Sequence, residues 1–172
     1  MPNIVLIQND YLTEQSLSKV LNYVTRSNII DGYAVDPRHA YQQMKMIKKA
    51  SHKEDGVQLK HFIITFSHEE AFNVSTDDLL DLGFQIGSFF REYQMVYAVH
   101  LDSSHLHLHC VMNTVSFLTG HKYSNGHSDF WGLKSMLQHK YPKSTVALYN
   151  SYPNSPINKF SFSEDDYILR LD

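Results

Sequence analysis

The segment His105-Leu106-His107-Leu108-His109-Cys110 alternates imidazoles with apolar side chains without a break. Period two is the period of a β-strand, so the run is predicted to set His105, His107 and His109 on one face and Leu106, Leu108 and Cys110 on the other. Such a strand needs a core on its leucine side and leaves polar chemistry to its imidazole side. It belongs inside a sheet, which excludes a purely helical fold. Four of the chain's 11 histidines fall between His100 and His109. That density concentrates the chemistry of the molecule on this strand and the turn before it.

Around this strand the chain reads as alternating strands and helices. Asn3 to Gln8 is β-favouring, and Thr13 can cap a helix with Leu17, Val20, Leu21 and Val24 on one face. Ile30 to Val35 reads as a loop, because Asp31-Gly32 is a turn signal; Asp36 then caps a second helix with Pro37 at its first position. The apolar side of that helix is Ala40, Met44 and Ile47, opposite a basic stretch of Lys45, Lys48, Lys49 and Lys53. Gln58 to Ser67 has the aromatic and β-branched content of a buried strand. A third helix starts at the Ser75-x-x-Asp78 box and runs to about Glu92. Gln94 to His100 and Leu106 to Ser116 are two strands, close enough in sequence to pair antiparallel. His121 to Ser124 can return beside the second of them. A fourth helix spans about Asp129 to Lys140, and Thr145 to Tyr149 is a last strand. The sum is an α+β domain covering residues 1–172: a central antiparallel sheet of about five strands, helices mainly on one face, and an open face for an extended ligand.

A length of 172 residues is one domain's worth, and 42% hydrophobic against 19% charged residues describes a chain that folds. The net charge of −3 excludes a globally basic nucleic-acid coat, so any DNA contact must be local. No run approaches the ~18 apolar residues of a membrane span, and the start lacks a secretory pattern. The expectation is a cytoplasmic protein without membrane insertion. One cysteine, Cys110, allows no internal disulfide.

Two histidines separated by one residue on a strand stand about 6.6 Å apart along it and can lean onto one ion. The short connection folds His100 back beside them and supplies a third nitrogen. Three imidazoles with open positions describe a catalytic metal site better than a closed structural one. Such a set accepts Mn, Zn, Ni or Co, whereas Mg prefers oxygen. A hydrogen-bonded set of histidines without metal is the plainer reading. Tyrosine is a suitable nucleophile for a phosphodiester, but the chain has 11, so residue type selects none. Tyr23 falls on the flank of the first helix, outside its apolar face, with Arg26 one turn further on.

The run from His100-Leu101-Asp102 to His107-x-His109, leading into Val111-Met112-Asn113, resembles the signature of plasmid relaxases, the conjugative mobilisation nucleases of the MOBP type. Leu21 to Arg26 is similar to the family's tyrosine motif, Lys60 to Ser67 to its middle strand motif, and Thr114 to Ser116 with Thr119 to Lys122 to the hairpin after the histidines. The resemblance implies a histidine-hydrophobic-histidine endonuclease that nicks one DNA strand at an origin of transfer and becomes joined through tyrosine to the 5′ phosphate. On this chain it implies His100, His107 and His109 as metal ligands, Tyr23 as nucleophile and Asp102 as the acid that orients a ligand. His105 stays outside the ligand set. Mg or Mn is the implied ion and single-stranded DNA the implied partner, with accessory relaxosome proteins and a coupling protein beside it. DNA contacts are expected of Arg26, Lys60, His61 and Lys122. The alternatives are a rolling-circle replication initiator or transposase of the same superfold, with a nucleophile after the histidines such as Tyr141, or a non-catalytic metal- or DNA-binding remnant.

Overall fold

The computed structural model describes residues 2–7, 9, 11–67, 71–101, 106–124 and 126–151, with the side chains of 127 and 149–151 left aside. Asp102 and His105 lie outside the described residues. The elements in chain order are β1 (Asn3–Ile7), α1 (Glu14–Val24), β2 (Ile30–Tyr33), α2 (Ala40–Ala50), β3 (Leu59–Thr65), α3 (Thr76–Phe89), β4 (Met95–His100), β5 (His107–Asn113), α4 (Gly126–Lys140) and β6 (Ala147–Ser151). The six strands form one open sheet in the order β2-β4-β5-β3-β1-β6. All neighbours are antiparallel except β1 and β6, which run parallel.

The helix starts follow the local chemistry. The Thr13 side chain accepts the Ser16 backbone N–H at 3.1 Å and opens α1. Ser75 and Asp78 exchange both bonds of a capping box at the head of α3. Alternation along the strands then divides the interior into two cores. On one face Phe62, Ile64, Met95, Tyr97, Leu108 and Cys110 meet Leu79, Leu82 and Ile86 of α3 and Phe130, Leu133 and Leu137 of α4. On the other face Leu59, Val96, Ala98 and Val111 meet Leu17, Val20, Leu21 and Val24 of α1 and Ala40 and Met44 of α2.

The α+β class and the open sheet stand, with three differences in detail. The helices divide two and two between the faces instead of gathering mainly on one. Short connections fold α1 and α2 onto the face that also carries the histidines, so that face is only partly open. The sheet has six strands where about five were expected, because Ile30–Tyr33, read as a loop from its Asp-Gly pair, is the edge strand β2 on β4. Gly32 is tolerated there because no side chain would fit: a Cβ would sit 2.2 Å from the Val35 carbonyl oxygen. The expected return of His121 to Ser124 reduces to one bridge, Val115 to Lys122.

Lys48 departs from its reading as part of a solvated basic stretch. It is 2% exposed, and its Nζ donates to the Gln58 carbonyl at 2.8 Å, to Asn113 Oδ1 at 2.6 Å and to Thr114 Oγ1 at 3.3 Å. Asn113 Nδ2 in turn donates to Gln94 Oε1 at 3.1 Å and to the Met44 carbonyl at 3.3 Å. This buried network ties α2 to the far end of β5 and fixes the strand that bears the histidines. Among the described residues, no helix is long and apolar enough to cross a membrane.

Candidate active site

The site is built at the start of β5, the middle of the sheet. His107 stands opposite His100 of β4 on one side and opposite Thr65 of β3 on the other; Thr65 is opposite Asn3 of β1. Directly opposed residues share a face, so His100, His107, Thr65 and Asn3 make a polar row across the sheet. His109 lies on the same face, two residues further along β5. Leu106 and Leu108 pack into the α3–α4 core on the reverse side, as the alternation requires.

The rings come together. His100 and His109 have ring centroids 4.3 Å apart, and His107 and His109 6.3 Å apart. The last turn of α1 lowers Tyr23 onto this group, with its ring 5.3 Å from His100 and 5.7 Å from His109. Tyr23 is half-buried, at the edge of the apolar face formed by Val20, Leu21 and Val24. Helix periodicity alone predicts that edge, and the closeness to the histidines is what the fold adds.

All three expected ligands are buried. Burial, with the neighbouring imidazoles His61, His100 and His107, holds His109 well below the usual histidine range, so its ring is neutral. A neutral ring is the ligating form. His109 Nε2 is buried beside two further imidazoles and has no hydrogen-bond partner among the described residues. Among the described residues, no group of three His, Cys, Asp or Glu side chains is arranged to hold a metal ion as it stands, and His100 Nε2 is directed at the Val24 carbonyl at 3.3 Å. The donor chemistry nonetheless fits a divalent cation of borderline softness: three imidazoles on two adjacent strands, one of them with a buried nitrogen that has no partner among the described residues.

The expected DNA-contact residues are placed less uniformly. Arg26 is exposed just beyond α1, and its backbone N–H reaches the Tyr23 carbonyl at 3.3 Å. Lys60 and His61 are adjacent on β3 and therefore point to opposite faces. Lys60 is opposite Met112, on the α3–α4 side, away from the histidines. His61 is on the histidine side but buried, 4% exposed, with one ring nitrogen toward His109 and the other toward Tyr11. It has no face left for DNA, and that expectation is withdrawn. Lys122 lies beyond the far end of β5, where its charge joins burial in pulling Lys48 down to about 7; the fold does not bring it to the histidines. Tyr141, the substitute nucleophile, stacks edge-on against Phe66 in the opposite core, at 5.9 Å.

The family model of the relaxase MobA/VirD2-like nuclease domain matches residues 11–140. The chain belongs to the relaxase family. Two Staphylococcus aureus proteins called Protein rlx are 28% and 29% identical to it over 113 residues, 64% of this chain. The chain spans about a third of the length of these curated relatives, 34% and 35%. Its fold is similar to that of the MobM relaxase domain (MOBV; Mob_Pre) solved with plasmid pMV158 oriT DNA and Mn, with a TM-score of 0.58 at 14% identity, covering 96% of this chain and 98% of that one. A second MobM structure, bound to a 26-nucleotide oriT DNA, gives 0.53 at 16% identity over 91% and 92% of the two chains. The matched relaxase region contains Tyr23 and all three histidines, so the residues that define the site lie within the part of the chain that carries the family membership.

Proposed function

We propose that this relaxase domain nicks one strand of DNA at an origin of transfer by tyrosine transesterification, using Tyr23 as nucleophile and His100, His107 and His109 as ligands of one divalent cation. The observation that carries the reading is the approach of the Tyr23 ring to both His100 and His109. A phosphate lying on these imidazoles is then within reach of the phenol.

The Tyr23 Oη would attack phosphorus, a new Tyr–O–P bond forming as the P–O3′ bond breaks. The phenol proton is relayed, through a nearby base or water, to the departing 3′ oxygen, which leaves as a hydroxyl. Because one phosphodiester is exchanged for another, the 3′ hydroxyl can attack in reverse and rejoin the strand. α1 supplies orientation, holding the phenol on one side of the phosphate site while β4 and β5 hold the imidazoles on the other. The bound divalent cation would act as a Lewis acid on the non-bridging oxygens. The Mn-bound relaxase fold that this chain resembles supports such an ion, and an all-imidazole set suits Mn better than Mg. Arg26, exposed one turn beyond Tyr23, is suited to a DNA phosphate. Asp102 keeps its proposed role of orienting a ligand ring. Single-stranded oriT DNA is the substrate, in the cytoplasm, with accessory relaxosome proteins and a coupling protein as further partners. The Tyr141 ring, half-buried against Phe66 on the sheet face opposite the histidines, disfavours the initiator or transposase reading, in which the nucleophile follows the histidines.

The test is incubation of labelled single-stranded oriT DNA with the protein and Mn²⁺, followed by denaturing electrophoresis. The wild type should give a slowly migrating adduct, absent from Tyr23→Phe and from His107→Ala. An adduct undiminished in either variant contradicts the assignment of that residue.

A further inference from the structure

We propose that His61 is a positioning residue for the metal centre: it holds the His109 ring in the one tautomer whose Nε2 can bind a cation, and is itself held by Tyr11. The proposal rests on the reading of His109 as a ligand. His61 Nε2 lies 3.1 Å from His109 Nδ1, with the rings stacked at 5.3 Å and 28°. Between two nitrogens at that distance there is one proton. If His109 Nε2 presents a lone pair, the ring proton sits on Nδ1 and is donated to His61 Nε2. The proton of His61 is then on its own Nδ1, which points at the Tyr11 hydroxyl 3.4 Å away. One lone pair thus fixes the whole chain from His109 through His61 to Tyr11. The opposite arrangement would place a proton on the buried His109 Nε2, which has no partner among the described residues, and close the site.

One further observation fits a device of this kind. Tyr11 is 3% exposed and sits at a φ of 38°, a conformation that bulky side chains rarely adopt. Its carbonyl is tied to the Gln58 N–H at 2.8 Å, which brings the phenol to His61 at the start of β3. Ligand histidines generally donate their second ring nitrogen to a carboxylate, a carbonyl or water. Here that acceptor is another imidazole, so the partner takes a proton without adding negative charge to the site.

The test measures Mn²⁺ binding by calorimetry on the full chain, with apo-protein melting curves as a control for folding. His61→Phe should weaken Mn²⁺ binding by about 10–100-fold, whereas His61→Gln, whose amide oxygen can take the place of Nε2, should stay within about threefold of wild type. Nitrogen-15 shifts of the histidine rings in metal-free wild type should show His109 protonated at Nδ1 and bare at Nε2, a signature that a merely structural role does not require. Unchanged binding in His61→Phe, or His109 protonated at Nε2, overturns the positioning role. Failure of the wild type itself to bind Mn²⁺, or binding unaffected by His107→Ala, overturns the metal centre instead, so the two failures are distinct. If His61→Phe does not fold, the wild-type nitrogen shifts decide alone.

Discussion

Tyr23 and the three histidines have different tolerances to change, because one is half-buried and the others are enclosed. Tyr23→Phe keeps the ring against His100 and His109 and removes only the oxygen proposed as nucleophile. Adduct formation should fall by roughly a thousandfold or more, while stability changes by about 1 kcal/mol or less in urea unfolding. Retained adduct would reassign the nucleophile. The alternation His107-Leu108-His109 is legible in sequence because period two allows a single reading, and it places the two proposed ligands on one face before any tertiary contact is known. His61 is not legible in the same way. Which β3 residue stands beside His109 depends on the register of β3 against β5, Ile63 opposite His109 and His61 opposite Val111, and no local signal encodes it. The pairing of Lys60 with His61 as DNA contacts fails for a reason that was available: neighbours on a strand point to opposite faces.

At the level of elements, the close approach of α3 to β4 and β2 depends on small residues. A Cβ on Gly83 would meet the Tyr97 ring at 2.2 Å, and one on Gly87 would meet the Tyr33 side chain at 2.5 Å. Gly83→Ala should therefore destabilise by about 1–3 kcal/mol through overpacking, despite the better helix propensity of alanine. A urea midpoint at or above that of wild type would show that the α3–β4 contact can open without cost. The starts of α1 and α3 were readable because capping is local: Thr13 and Ser75 each sit where side-chain oxygens meet free backbone N–H groups, whereas Asp36, read as the cap of the second helix, caps the short 3-10 turn Pro37–His39 and α2 begins after it without a side-chain cap. The edge strand β2 was not, since its Asp-Gly pair carries a turn signal that pairing with β4 overrides. Nor could periodicity say which sheet face each helix covers, because an apolar stripe fits either.

Over the whole molecule, buried titratable groups set the pH dependence. His61 and His109 titrate far below the ~6.5 of an unfolded histidine. The unfolded chain therefore binds more protons below that pH, and stability falls as pH falls, by about 1.4 kcal/mol per unit for each group. Lys48, pulled to about 7 from an unfolded value near ~10.4, acts in the same sense on the alkaline side, and stability rises as pH climbs through that window. Metal-free protein should show urea midpoints increasing from pH 5 through 7 to 9; a flat or falling series contradicts the neutral buried histidines. The residue joined to DNA is identified by mass spectrometry of the proteolysed adduct formed with single-stranded oriT DNA and Mn²⁺. Tyr23 linked to the 5′ phosphate of the downstream strand is the expected result. A nucleotide carried by Tyr141 or any other residue, or cleavage without a protein linkage, would contradict it.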